Sequence, residues 1–454
     1  MYKRQTIFYA KLHNEALSRK NKILVVASDL SNVNKMNSSS QIDNPIGLNN
    51  PLHVKSEGGL GLLSHLFNPS LSLVLVILGY YSLAPFTNRF LSEGNVGGIF
   101  IHFFIIFYVA STYLINFYRQ KKIKRTHCSF GLIFLFLYGL RMFDNIYFDG
   151  LILPPDNTVV VLFFLVNTVL VSLLTMQMSW QINDVVFYKA SLLLFLIFMI
   201  GMSQNIDVLS ETSARRLSLT KINPISLSHQ AISFAIFFWI YFGHSFFSKI
   251  AAFLSWPLLF LIIVYARSRG GYLAILGVLM IFIIAKGGRD KLFSVGLFST
   301  IFLIAIFFIS DDFKNVIFEP IQRLFTGDDQ SANIREQLFN LSWGLFLDFP
   351  ILGDSIITPI FGVYTHNLIL EGLISTGLLG VSFLTIHLSF CLNAVFQIIR
   401  KNIYPKFTVL IALLFIQKLI GLLVSGNVWG SGSFWAISFS ILFIYYGRLN
   451  EISR

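Results

Sequence analysis

An all-α, polytopic membrane protein of about twelve transmembrane helices is the fold this sequence predicts, and three observations predict it. The 454 residues are 55% hydrophobic and only 12% charged, with a mean hydropathy of +0.70, outside the range of soluble globular chains. Apolar runs of about 17–25 residues recur, long enough to cross a hydrocarbon core of about 30 Å as helices. The runs are continuous rather than alternating, so helices, not a closed barrel, satisfy the backbone in lipid.

Residues 1–64 are polar and rich in Asn and Ser, and read as a flexible cytoplasmic tail without a cleavable signal peptide. Gly58-Gly59-Leu60-Gly61 precedes no strand-then-helix pattern, so it is no nucleotide loop. The apolar runs then fall at about 69–86, 98–117, 129–143, 158–178, 186–204, 228–247, 250–266, 270–286, 292–310, 366–390, 407–424 and 433–447, and together form the transmembrane domain, 65–454. The third and last are short. No internal repeat is visible.

Charge orients the bundle. The tail basics from Lys3 to Lys22, Arg119–Arg125, Lys286–Lys291, Arg400–Lys406, Arg448 and Arg454 fall on one side if the count is twelve, which makes that side cytoplasmic. The net charge of +12 is therefore largely topological and implies no nucleic-acid partner. Cys128 and Cys391 lie in or beside spans and imply neither disulfide nor thiolate metal site.

Two outer loops remain, about 203–228 and 311–365. The second is long enough to be functional. Within it, Ile334–Leu347 carries apolar residues at helical spacing, predicting a short helix on the bilayer surface that Pro350 and Gly353 end. Outer loops are normally poor in Lys and Arg, yet Arg215, Arg216, Lys221, Arg267, Arg269, Arg323 and Arg335 fall there. Any one of them can snorkel to lipid phosphate. As a set on one face they point to a diphosphate or carboxylate ligand, which arginine binds bidentately.

His366 stands where the long loop re-enters the membrane, beside Asn367, with Glu371 about a turn further in and placed to orient it. A histidine near its free pKa is a natural base for deprotonating a hydroxyl. The bland alternatives are a structural interface histidine and a buried helix-end carboxylate. Gly372, Gly377 and Gly380 let a neighbouring helix or lipid chain approach. Arg141 and Lys418 are further ionisable residues inside spans. No metal-ligand spacing is visible and no cofactor is implied; if pyrophosphate is the leaving group, arginines would have to stabilise it in place of a metal.

Three segments carry a family resemblance: Arg267-Ser-Arg-Gly-Gly-Tyr-Leu-Ala274 opening a span, Asn333-Ile-Arg335 through Phe349-Pro350-Ile-Leu-Gly353, and His366-Asn367 followed by Gly377-x-x-Gly380. A weaker fourth is Arg216-Leu-Ser-Leu with Asn223-Pro-Ile-Ser-Leu227. Over about residues 215–390 the chain resembles the bacterial O-antigen ligase and O-antigen polymerase superfamily. The resemblance implies a GT-C-like fold and an inverting, metal-independent glycosyltransferase facing the periplasm of the bacterial inner membrane. It implies an undecaprenyl-pyrophosphate-linked oligosaccharide as donor, the lipid bilayer as surroundings, and a chain-length regulator and flippase of the same pathway as partners. By the family pattern His366 is the base or positions the acceptor. Arg335 and Arg216 hold the pyrophosphate, Arg269 lines the site, and the doublet leaves the choice between Arg215 and Arg216 open. A repeat-unit polymerase is the favoured function in surface-polysaccharide biosynthesis, and a ligase transferring glycan to lipid A–core is second. A flippase or transporter is a distant alternative, since it would carry its charges nearer the bilayer midplane.

Overall fold

The structure is a computed structural model that describes residues 66–90, 96–117, 126–151, 157–204, 222–287, 330–358, 362–401 and 403–452. The tail, Arg215, Arg216, Lys221, Arg323 and the expected span at 292–310 lie outside the described residues. All regular elements among the described residues are helical. Nine are long and apolar enough to cross a membrane.

The first helix, α1, starts at Pro69–Val74, passes a π-helical turn at Leu75–Gly79 and continues through Tyr80–Phe90. Then come α2 (Val96–Asn116), α3 (Ser129–Tyr147), α4 (Asn157–Leu162, a π segment Phe163–Leu170, Val171–Met178) and α5 (Asp184–Ser203). The second half holds α6 (Pro224–Tyr241), α7 (Phe246–Tyr265), α8 (Arg269–Lys286), α9 (Gln330–Asp348), α10 (Leu368–Arg400), α11 (Lys406–Ser425) and α12 (Gly432–Ile452).

The helix starts follow from capping chemistry. Asn68 and Asn223 each precede a proline and accept a hydrogen bond from a first-turn N–H, at Ser70 (2.8 Å) and Ser226 (2.7 Å). Asn183 caps α5 in the same way, and Ser245 with Ser248 forms a reciprocal capping box on α7. These caps shift two expected boundaries. α6 begins at Pro224 rather than near 228 and ends at Tyr241, and α7 begins at Phe246 rather than near 250.

α10 packs on α3 and α11, α8 on α11, α6 on α7 and α11, and α12 on α4. The last apolar stretch is short, Gly432–Gly447, but it is central: Trp435 and Phe439 are fully buried, and Trp435 stacks on Phe134 at 5.8 Å. By contrast α2 leaves Phe100, Phe103 and Phe107 exposed, a surface suited to lipid tails.

α9 matches the helix expected in the long loop. One face buries Leu338, Ser342 and Phe346 on the start of α10, while Ile334, Phe339, Trp343 and Leu347 are exposed. An exposed apolar face with tryptophan suits the headgroup boundary.

Candidate functional site at one end of the bundle

Among the described residues, Arg267, Arg269, Arg335, His366, Asn367 and Glu371 gather at the end of the bundle where α6, α8 and α10 begin and α11 ends. The starting point is a break. α10 is continuous in apolarity but not in backbone: Gly377 adopts φ +60, ψ −162 and divides it. A break inside a packed helix frees peptide groups that need partners. The turn after α9 supplies them. Leu378 N–H donates to the Pro350 carbonyl (2.8 Å) and Leu379 N–H to Ile351 (3.1 Å), while the Asp354 and Ser355 N–H groups donate to the Ile374 carbonyl (2.7 and 3.0 Å).

Glycine is required on both sides of this junction. A Cβ at Gly377 would lie 2.3 Å from the Ile351 carbonyl carbon, and one at Gly353, itself at φ +67, 2.5 Å from the Ser375 carbonyl carbon. The Pro-x-x-Gly and Gly-x-x-Gly motifs are therefore two halves of one backbone junction. What approaches Gly377 is a turn, not a neighbouring helix or a lipid chain. Arg141 closes the junction from α3: its guanidinium donates to the carbonyls of Ser375 (3.2 Å), Leu352 (3.3 Å) and Gly353 (2.8 Å), and pairs with Asp144 at 2.6 Å. Its donors hold the fold.

The junction fixes the segment that carries His366. Asn367 caps α10, its Oδ1 accepting from Ile369 (3.0 Å) and Leu370 (3.1 Å) N–H, and its Nδ2 donates to the Leu423 carbonyl at 2.8 Å. Both ends of the amide are thus engaged within the protein. Glu371 is fully buried. Its Oε1 accepts from the Tyr138 hydroxyl (2.6 Å) and the Val428 N–H (3.1 Å), while Oε2 is enclosed without a partner. Glu371 therefore ties α10 to α3 and to the α11–α12 turn, and makes no hydrogen bond to His366.

His366 itself is held at φ +58. Among the described residues only Arg267, at φ +47, shares that left-handed conformation without being glycine. Such a backbone costs about 1–2 kcal/mol, and strain of this kind gathers at functional sites. The His366 ring contacts Tyr364 at 4.3 Å and bonds to the backbone of Ser425, the last residue of α11. Nδ1 is shielded and has no hydrogen-bond partner. Burial first, and the Arg335 cation second, hold the imidazole below its ordinary pKa, against the opposing Ser425 bond. The same cation bears on Tyr364, whose hydroxyl burial, Glu371 and Tyr81 push up and Arg335 pulls down.

Arg267 ends the turn after α7, and Arg269 is the first residue of α8 after the N-cap Ser268. Gly270 brings this helix start against α6 and α11: a Cβ there would lie 3.6 Å from His229 Nε2 and 3.7 Å from Val424 Cγ1. Val424 is one residue from the Ser425 backbone that holds His366. The structure thus brings Arg267, Arg269, Arg335, His366, Asn367 and Glu371 to one end of the bundle. Lys418 lies further along α11, close enough for its charge to bear on His229. Among the described residues no three His, Cys, Asp or Glu side chains gather as a metal-ligand group.

Residues 251–385 match the O-antigen ligase family. The matched segment, under a third of the chain, is similar to the O-antigen ligase and polymerase superfamily, and it suggests a glycosyltransferase-like enzyme of the ligase or polymerase type. It contains the α8 start, α9, the junction and His366; α6 lies before it. No curated protein matches the chain.

Sequence reading missed four participants. Tyr364, two residues before His366, was within reach of it. His229 was signalled only by its place in the second turn after Asn223-Pro224. Tyr138 and Ser425 carried no signal, because one pairs across 233 positions and the other acts through its backbone.

Proposed function

We propose that this chain is a repeat-unit polymerase of surface polysaccharide, working at the periplasmic face of the bacterial inner membrane. Its donor is an oligosaccharide on undecaprenyl pyrophosphate, and its acceptor is a sugar hydroxyl of a second lipid-linked glycan. The observation that carries this reading is His366, held in a left-handed backbone at the start of α10 beside the Ser425 backbone, with the charge of Arg335 close by.

In this mechanism the His366 imidazole takes the proton of the acceptor hydroxyl as its oxygen attacks the anomeric carbon. The bond from that carbon to the diphosphate oxygen breaks, and the lipid diphosphate leaves with the electron pair. Attack opposite the leaving group inverts the centre. Arg335, with Arg267, Arg269 and one of Arg215 or Arg216, stabilises the charge on the leaving diphosphate, the part a divalent metal plays elsewhere. A chain-length regulator and a flippase of the same pathway are the proposed protein partners.

A second reading is a ligase passing the glycan to lipid A–core; the matched family is described as O-antigen ligase but does not separate the two. The two share donor chemistry and differ in acceptor. Deleting the gene and resolving the surface polysaccharide on a gel separates them. Core bearing a single repeat unit is the outcome expected for a lost polymerase. Bare core with accumulating lipid-linked polymer identifies a ligase, and an unchanged ladder contradicts both.

A further inference from the structure

His229 occupies a slot made for its ring. A Cβ at Gly421 of α11 would lie 3.0 Å from its Cε1 and 3.2 Å from its Nε2, and one at Gly270 of α8 would lie 3.6 Å from Nε2. Glycines on two helices therefore leave room for an imidazole between them. Gln417 sets its orientation: the amide Nε2 donates to the His229 carbonyl at 2.6 Å and faces His229 Nδ1 at 3.5 Å, while its Oε1 accepts from Ser233 at 2.9 Å. With a donor facing Nδ1, the ring proton belongs on Nε2, and this atom is shielded and has no partner.

Next to it stands a second shielded polar atom. Ser268 is 4% exposed, is the N-cap of α8, and leaves its Oγ without a hydrogen bond. The position a Gly270 Cβ would take lies 3.8 Å from this Oγ as well as 3.6 Å from His229 Nε2, so the two polar atoms flank the same point at the helix start. It would also sit at the first turn of an 18-residue helix, where peptide N–H groups and the helix dipole favour an anion. A buried donor left unpaired costs free energy. Two beside a helix start, with Lys418 nearby and His366 anchored to the adjoining Ser425, describe a place for an anionic oxygen.

We propose that His229 Nε2–H, Ser268 Oγ–H and the N-terminus of α8 form a phosphoryl-binding subsite for the lipid diphosphate. The inference rests on the proposed diphosphate donor and adds residues from α6 and the α8 cap to its binding site. His229 is a binding residue here, with no part in proton transfer.

The test uses the full chain in nanodiscs and two probes, geranylgeranyl pyrophosphate and the uncharged geranylgeraniol. The wild type is expected to bind the pyrophosphate more tightly than the alcohol. His229→Phe is expected to weaken pyrophosphate binding about tenfold, the loss of one hydrogen bond to a charged group, and to leave alcohol binding unchanged. His229→Gln, which keeps a donor, restores most of the affinity. Ser268→Ala weakens pyrophosphate binding in the same direction and Ser268→Thr does not. If His229→Phe is not recovered folded, Ser268→Ala decides by the same criterion. Wild-type preference for pyrophosphate that both variants retain in full overturns the subsite alone. A wild type that binds the two probes equally overturns the diphosphate-donor reading on which it rests.

Discussion

The Tyr138 hydroxyl donates to Glu371 Oε1 at 2.6 Å, joining the middle of α3 to the first turn of α10 inside the core. Glu371 also receives the Val428 N–H, so one carboxyl group holds three segments around the start of the helix that follows His366. Tyr138→Phe is expected to lower stability by about 1–3 kcal/mol, because a buried acceptor loses its donor. Glu371→Ala should cost more, since it also strands the Tyr138 hydroxyl and the Val428 N–H. Thermal unfolding of the purified variants checks the order.

The junction at Gly377 gives a second expectation. A methyl group there meets the Ile351 peptide at 2.3 Å in a backbone conformation that already disfavours a side chain. Gly377→Ala is expected to displace the 350–353 turn and destabilise the protein by several kcal/mol, near the severe end for single substitutions. Gly344, whose Cβ would meet nothing within 4 Å, supplies the control: Gly344→Ala should be tolerated. Folded yield and melting temperature distinguish the two.

The pH dependence of transfer follows from His366. The neutral imidazole is the working form of a base, and its pKa lies below the usual 6.5. The neutral form therefore predominates at neutral pH, and the acid limb of kcat/KM should lie below that of an unperturbed histidine. Arg335→Gln removes a cation that opposes protonation, so the acid limb of its residual activity should move to higher pH. A limb that stays in place contradicts the coupling.

Arg141 offers a contrast with Arg335. Its guanidinium is spent on three carbonyls and Asp144, so Arg141→Leu should lower the melting temperature by opening the junction. The apparent affinity of the folded fraction for donor should be unchanged. A Kd that rises while stability holds would instead make Arg141 a ligand-binding residue.

Most spans were legible because twenty apolar residues have few alternatives in lipid. The α9 helix was legible from its periodicity. The break in α10 was not, because hydropathy runs unbroken through Gly377 while the break is set by a turn more than twenty residues earlier. The starts of α6 and α7 were displaced for a related reason: Asn223-Pro224 and Ser245 are polar, so a hydropathy window treats as loop what capping makes helix. In the site, His366 and the arginines stood out as charges against the topological trend. The tasks of Asn367 as a cap and Glu371 as a core acceptor depend on partners distant in sequence, which spacing does not reveal.

The central claim is that His366 is the base for glycan transfer beside an arginine-held diphosphate. Glycan transfer by purified His366→Ala, compared with a wild type of equal melting temperature, tests it most directly. Loss of a general base corresponds to a fall of about 100- to 10,000-fold in rate, and that is the expected result. Transfer by His366→Ala at close to the wild-type rate would contradict it.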